Sequence, residues 1–310
     1  MIACVFPGQG AQKVGMGRAL AEAYPACRQT FDEADAALGE PLSRLCFEGP
    51  ETELVLTEQT QPAILAMSIA AYRLVASLGL RPVMVAGHSL GEYSAHVAAG
   101  TLAFADALQI VRRRGRYMQE AVPVGAGAMA AVLGLPGDQV AQACLEAAAG
   151  DVVSPANLNA PGQVVIAGTV AGVERAGTRC KALGAKRVIA LNVSAPFHCA
   201  LLRPAEERLE PELRALAARD PRVPVVANVD AEPKRTAAES IDALVRQVSR
   251  PVQWEACVRR LASEGVRTYV EVGPGTVLSG LIRKIDPDAT VVNVEDPKGL
   301  AAVEALLANA

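Results

Sequence analysis

The chain carries only three histidines, and its seven cysteines are scattered with no Cys-x-x-Cys pair. That leaves no legible zinc site, and an odd, dispersed cysteine set gives no disulfide framework. Reduced thiols fit a cytoplasmic compartment. A charge excess of one sign is also missing. Thirty basic and 33 acidic residues leave a net charge of −3, which argues against a dedicated nucleic-acid binder. Long hydrophobic runs are absent too. The longest largely apolar stretch, residues 63–72, is too short to span a bilayer and is followed by Arg73. No basic segment leading into an apolar one opens the chain, so no secretory signal is expected. At 310 residues and 51% hydrophobic, the composition supports one large domain or two modest ones.

What is present is a motif. Residues 87–91 read Gly-His-Ser-Leu-Gly, after the apolar run Val83-Met84-Val85-Ala86 and before a helical stretch over 92–99. Strand, G-x-S-x-G, helix is the layout of a nucleophile elbow. Gly87 and Gly91 are expected there because side chains would collide where strand and helix approach. The turn pushes the Ser89 hydroxyl out above the sheet. It also places the Leu90 N–H at a helix start, aimed where an oxyanion would form.

Around the elbow, the pattern predicts a strand ending at Val5-Phe6, a loop over 7–10 and a helix over 14–24. Thr60 before Gln61-Pro62 reads as the N-cap of a long helix to Leu78. A further helix is predicted over 104–120. From 126 to 193 the rhythm becomes strand, helix, strand, strand, helix, strand, the order of a ferredoxin-like unit. After it the chain returns to α/β alternation, with strands over 223–229, 268–272 and 291–294 and helices over 252–263 and 276–284. The fold expected is α/β. A hydrolase-like parallel-sheet domain, residues 1–125 and 194–310, holds an inserted small domain, residues 126–193.

A serine at an elbow needs a base. His88 adjoins Ser89, and neighbours on a sharp turn point apart. His96 lies two helical turns on, roughly 10 Å along the axis. By elimination the base is His198, in a proline-bent loop where a strand ends. Acylation of the serine is then expected to fall as pH drops through the ordinary histidine range, around 6.5. Asp106, Asp138 and Asp151 lie between Ser89 and His198, but each reads as a cap or surface residue. A two-residue relay, with His198 oriented by a neutral acceptor, fits better. Arg114 stands out for another reason. It falls on the apolar stripe of its helix, with Ala107, Ile110, Val111, Tyr117 and Met118, while Arg112, Arg113 and Arg116 fall off it. It is either a rim arginine snorkelling outward or a buried guanidinium. The second would select a carboxylate substrate through bidentate bonds.

These stretches resemble the malonyl-CoA:acyl carrier protein transacylase family, related to polyketide acyltransferase domains. The resemblance covers nearly the whole chain. It includes Phe6-Pro7-Gly8-Gln9-Gly10, Thr60-Gln61-Pro62, residues 87–94, Arg114-Gly115, residues 117–121, 127–131 and 161–168, Pro196-Phe197-His198, residues 251–254 and residues 271–275. It implies that Ser89 is the nucleophile, His198 its partner, and that Gln9 and Leu90 supply oxyanion-hole amides. It implies that Arg114 holds the malonyl carboxylate. Gln247 lies where a family glutamine offers its backbone carbonyl to the histidine, and with Phe197 it joins the substrate-binding set. Phe197 precedes the histidine as in malonyl-selective polyketide acyltransferases, while some bacterial relatives carry serine there. That leaves fatty-acid and polyketide synthesis both open.

The activity implied is malonyl transfer from malonyl-CoA to the phosphopantetheine thiol of acyl carrier protein, through a malonyl-serine. It needs no metal or other cofactor, no nucleic acid and no membrane, and a cytoplasmic monomer is expected. Two readings of other classes stay open at this point. A serine hydrolase acting on acyl thioesters would use the same elbow, and a non-catalytic acyl-CoA binding module would form no covalent adduct.

Overall fold

The computed structural model describes residues 1–123, 125–193 and 195–308. Among them are ten strands: β1 (Ile2–Phe6), β2 (Met84–Gly87), β3 (Gly127–Leu133), β4 (Val153–Ala160), β5 (Gln163–Thr169), β6 (Arg187–Ala190), β7 (Val225–Val226), β8 (Pro233–Lys234), β9 (Thr268–Val272) and β10 (Thr290–Val294). Six form one sheet in the order β10-β9-β1-β2-β7-β8. All its neighbours run parallel except β7 and β8.

The central strand β1 shows why this sheet is parallel and covered. Ala3, Cys4, Val5 and Phe6 are all fully buried, the near-continuous apolar run of a strand with helices on both faces. Alternate side chains serve opposite cores. Cys4 and Phe6 pack with the helix Thr57–Ser77, whereas Ala3 and Val5 join Trp254 and Leu261 of the helix Trp254–Ser263.

The second sheet has the order β4-β5-β3-β6, with antiparallel neighbours. The helices Gly137–Ala147 and Val170–Ala182 connect its strands in ferredoxin-like order. Period-two alternation again assigns the faces. Ala130, Val132, Val164 and Ile166 form a core with Val140, Ala143, Val173 and Ala176 of the two helices. Met129, Val165 and Ala167 point the other way, into the core of the main body. The expected boundaries near 125 and 193 adjoin Val124 and Ser194, which lie outside the described residues.

Several boundaries differ from the sequence expectation. The helix expected over 14–24 starts only at Arg18, because Gly17 takes a left-handed φ of 78°. The long helix begins at Thr57, not after Thr60, and Pro62 lies inside it. Thr60 is buried and its hydroxyl donates to the Leu54 carbonyl. Packing of that extra turn outweighs the one backbone bond that the proline forgoes.

Candidate active site

β2 ends at Gly87 and the helix Leu90–Ala99 begins three residues later. Ser89 sits between them at φ 52°, ψ −108°, a strained conformation for a residue with a side chain. Both flanking glycines are sterically required. A Cβ on Gly87 would lie 1.9 Å from the Gly91 backbone, and one on Gly91 would lie 2.0 Å from the Phe6 carbonyl oxygen. The strained turn is tied on both sides by one residue. The Ser89 N–H donates to Asn228 Oδ1 at 2.7 Å, and Asn228 Nδ2 donates to the Gly87 carbonyl at 2.7 Å. Leu90 is the first residue of its helix, so its N–H has no intrahelical acceptor.

His198 meets this serine from 109 residues away. Its Nε2 lies 2.7 Å from Ser89 Oγ, and its own φ is 59°. Its Nδ1 lies 2.9 Å from the Gln247 carbonyl oxygen. A carbonyl only accepts, so Nδ1 carries the proton and Nε2 presents a lone pair to the hydroxyl. Burial, then the Arg114 charge, press the His198 pKa down to about 3. With that pKa the imidazole is already neutral at pH 6.5, and acylation should fall only at lower pH. The other two histidines turn elsewhere. His88 Nε2 pairs with Asn159 Oδ1 at 2.8 Å. His96 is fully buried, with its Nε2 4.0 Å from Glu92 Oε1. Asp106 and Asp138 lie in first helical turns, and Asp151 pairs with Arg175 at 2.7 Å.

Arg114 projects inward from the helix Phe104–Glu120 and is 1% exposed. Its Nη1 donates to Gln61 Oε1 at 2.8 Å. Its Nη2 donates to Gln247 Oε1 at 2.8 Å and to Ser89 Oγ at 3.2 Å. Burial lowers its pKa, against the nearby Tyr93 and Glu92. Its Nε is buried and has no hydrogen-bond partner among the described residues.

These groups line one cavity of ≈ 640 Å³. Gln9, Ser89, Leu90, Arg114, Phe197 and His198 all border it, with Met129, Asn157 and Leu191 from the four-stranded side. Gln9 comes from the loop after β1, and its Nε2 donates to Thr57 Oγ1 at 3.3 Å. Gln247 stands behind the cavity and is fully buried. Every residue expected at the site is thus brought to it. Sequence reasoning missed three supports: Gln61, Glu92 and Asn228. Gln61 and Glu92 stand inside motif stretches and could have been suspected. Asn228 carried no local signal.

A cavity at strand ends, with a strained elbow serine bonded to a neutral histidine, defines an acyl-transfer class of serine protein. A family model described as an acyl transferase domain matches residues 3–296. The malonyl CoA-acyl carrier protein transacylase of Escherichia coli (strain K12) is 52% identical over 301 residues, 97% of each chain. That of Bacillus subtilis (strain 168) is 48% identical over 298 residues, covering 96% of this chain and 94% of that one. Among solved structures, an acyl carrier protein S-malonyltransferase from Vibrio cholerae superposes with a TM-score of 0.96 at 49% identity, over 97% of this chain and 99% of that one. A malonyl-transacylase solved in complex with its type II PKS acyl-carrier protein gives 0.96 at 47% identity, over 98% and 99%. The chain belongs to the acyl transferase domain family and, within it, to the malonyl CoA-acyl carrier protein transacylases.

Proposed function

We propose that Ser89 carries malonyl as an ester between malonyl-CoA and the phosphopantetheine thiol of an acyl carrier protein. One observation carries the reading. Ser89 Oγ stands at once 2.7 Å from a neutral imidazole nitrogen and 3.2 Å from a buried guanidinium. The first makes it nucleophilic, and the second selects what it attacks.

His198 Nε2 takes the hydroxyl proton as Oγ attacks the thioester carbonyl. The tetrahedral oxyanion rests on the Gln9 and Leu90 amides, one such donor typically being worth ~10²–10³ in rate. The Gln247 carbonyl steadies the imidazolium through Nδ1. Coenzyme A leaves as the carbon–sulfur bond breaks, and His198 returns the proton to its sulfur. The carrier thiol then repeats the sequence in reverse on the malonyl-serine. Arg114 holds the free carboxylate throughout. Its planar guanidinium offers the fork of donors that can meet a carboxylate with two parallel bonds.

A serine hydrolase would use the same elbow. The buried Arg114 favours transfer of an anionic acyl group, and no aspartate or glutamate bonds His198 among the described residues. We infer further that the protein acts as a monomer in the cytoplasm without metal or cofactor, and that residues 126–193 form a small domain of their own. The separate core beneath the four-stranded sheet supports that division. Among the described residues no helix is long and apolar enough to cross a membrane.

Intact mass tests the reading. Malonyl-CoA should add one malonyl group to the wild-type protein, and holo carrier protein should remove it with matching gain on the carrier. Ser89→Ala should gain nothing. An undiminished adduct on the alanine variant, or an adduct that water clears as fast as carrier protein, overturns it.

A further inference from the structure

We infer that Glu92 is a positioning residue that holds nucleophile, base and guanidinium in one frame through Gln247 and Asn228. The inference rests on the roles proposed above for Ser89, His198 and Arg114. Glu92 is three residues beyond Ser89, in the first turn of the elbow helix, and is fully buried. Its Oε2 accepts two hydrogen bonds, from the Asn228 backbone N–H at 2.8 Å and from Gln247 Nε2 at 2.9 Å. Each donor residue then reaches the reacting groups.

Gln247 reaches all three. Its Nε2 also donates to the Ser89 carbonyl at 3.0 Å, its Oε1 accepts from Arg114 Nη2 at 2.8 Å, and its backbone carbonyl accepts from His198 Nδ1 at 2.9 Å. Asn228 ties the elbow itself, through the Ser89 N–H and the Gly87 carbonyl. Nucleophile, guanidinium and base therefore each stand one residue away from the Glu92 carboxylate.

The frame has a single consistent orientation. A guanidinium only donates and a carboxylate oxygen here only accepts, so an amide wedged between them fits one way round. The carbonyl must face Arg114 and the NH₂ must face Glu92. Without Glu92 only Arg114 and the Ser89 carbonyl are left to orient the amide. One anchor short, the amide can shift, and Arg114 Nη2 shifts with it from its place beside Ser89. The buried Asn228 N–H also loses its acceptor, and the Gln247 NH₂ loses one of its two. Misplacement of a reacting group by about 1 Å can cost ~10²-fold in rate. A glutamine at position 92 keeps a carbonyl oxygen for the same two donors. Loss of the acceptor and loss of the charge can therefore be separated.

Steady-state acylation by malonyl-CoA and by acetyl-CoA should be compared in wild type, Glu92→Ala, Glu92→Gln and Gln247→Leu. Glu92→Ala should lose about 10²-fold in kcat for malonyl-CoA with KM little changed, and its malonyl-to-acetyl ratio should fall. Glu92→Gln should recover most of both. Gln247→Leu breaks the frame from the other side and should show the same split even if Glu92→Ala does not fold. Wild-type kcat in both Glu92→Ala and Gln247→Leu would overturn the inference. So would a Glu92→Gln as impaired as Glu92→Ala, or a lost rate with an unchanged malonyl-to-acetyl ratio. Wild type and Ser89→Ala run alongside separate the two failures. If wild-type Ser89 takes no malonyl, the site reading itself falls and this inference with it. If Ser89 is acylated equally in wild type and Glu92→Ala, only the inference falls.

Discussion

The two sheets meet at the cavity with opposite kinds of residue. From the parallel sheet come polar groups at strand ends: Ser89 after β2 and Gln9 after β1, with the buried Asn228 after β7 behind Ser89, each fixed by named hydrogen bonds. From the four-stranded sheet come Met129, Asn157 and Leu191, a wall with no ionisable group. Parallel strands deliver their carboxyl ends together on one edge, and sharp turns there aim side chains at a common point. Antiparallel strands alternate direction and gather no such edge. The chemistry is therefore built on one side, and the other side shapes and closes the cavity.

The largest effects should follow that division. His198→Ala should slow acylation by about 10²–10⁴, the usual worth of a positioned general base. Asn192→Ala, on the exposed rim of the opposite wall, should leave the rate near wild type. Single-turnover mass spectrometry on both variants checks this, and a crippled Asn192→Ala would break the comparison. Next in size is the elbow's steric requirement. Gly91→Ala drives a Cβ against the Phe6 carbonyl and should cost about 3 kcal/mol, the upper end for overpacking. Leu145→Ala on a small-sheet helix, at 73% exposure, should stay within about 0.5 kcal/mol. Urea melts decide between them.

The elbow was legible because it is local. Two glycines and a serine within five residues report a close approach that no other residue types permit. The small sheet was legible because each of its faces is apolar with period two. Other elements left weaker marks. The helices Pro25–Leu38, Arg203–Arg214, Ala237–Gln247 and Pro297–Ala308 were not anticipated. The strand expected over 223–229 shrinks to Val225–Val226, because the chain leaves the sheet to bring Asn228 under Ser89. The contacts that orient the site join residues far apart in sequence. Asn228 lies 139 residues from Ser89, and Gln247 lies 155 from Glu92. No local pattern encodes such a pair. The lowered pKa of His198 was illegible for the same reason, since the burial and the Arg114 charge that press on it come from distant segments.

The burial of two histidines makes a smaller, pH-dependent prediction. His96 and His198 are both held neutral, with pKa values near 3, chiefly by burial. Unfolded, each would titrate near 6.5. Their contribution to stability is complete above pH 6.5 and is lost as pH falls from there toward 3, at about 1.4 kcal/mol per pH unit for each. Glu92 acts oppositely. Burial raises it to about 7 from 4.5, so its contribution is complete below 4.5 and is lost as pH rises through 7. Between pH 4.5 and 6.5 it cancels one histidine. Stability measured against pH should therefore fall more gently there in His96→Leu than in wild type. Parallel curves would show that His96 is not held neutral.

The smallest effect concerns the carrier protein. Lys181, Lys186 and Arg187 near the four-stranded sheet and Arg283 and Lys284 on the main body are exposed, on a chain of net charge −3. Attraction of an acidic carrier would have to be local. Transfer to carrier protein should weaken with salt by several-fold more than acylation by malonyl-CoA does. Equal salt dependence of the two half-reactions would remove the patch from the account.

The central claim is that Arg114 reads the malonyl carboxylate beside Ser89. Its most direct test is kcat/KM for malonyl-CoA against acetyl-CoA in wild type, Arg114→Ala and Arg114→Lys. With acetyl bound, a buried guanidinium lacks its partner, a situation that costs about 3–5 kcal/mol, or roughly 10²–10³ and more in discrimination. Arg114→Ala should lose malonyl transfer steeply and gain acetyl transfer relative to it. Arg114→Lys should fail to restore the ratio, because an ammonium cannot reproduce the fork. A malonyl-to-acetyl ratio in Arg114→Ala equal to that of wild type would contradict the account.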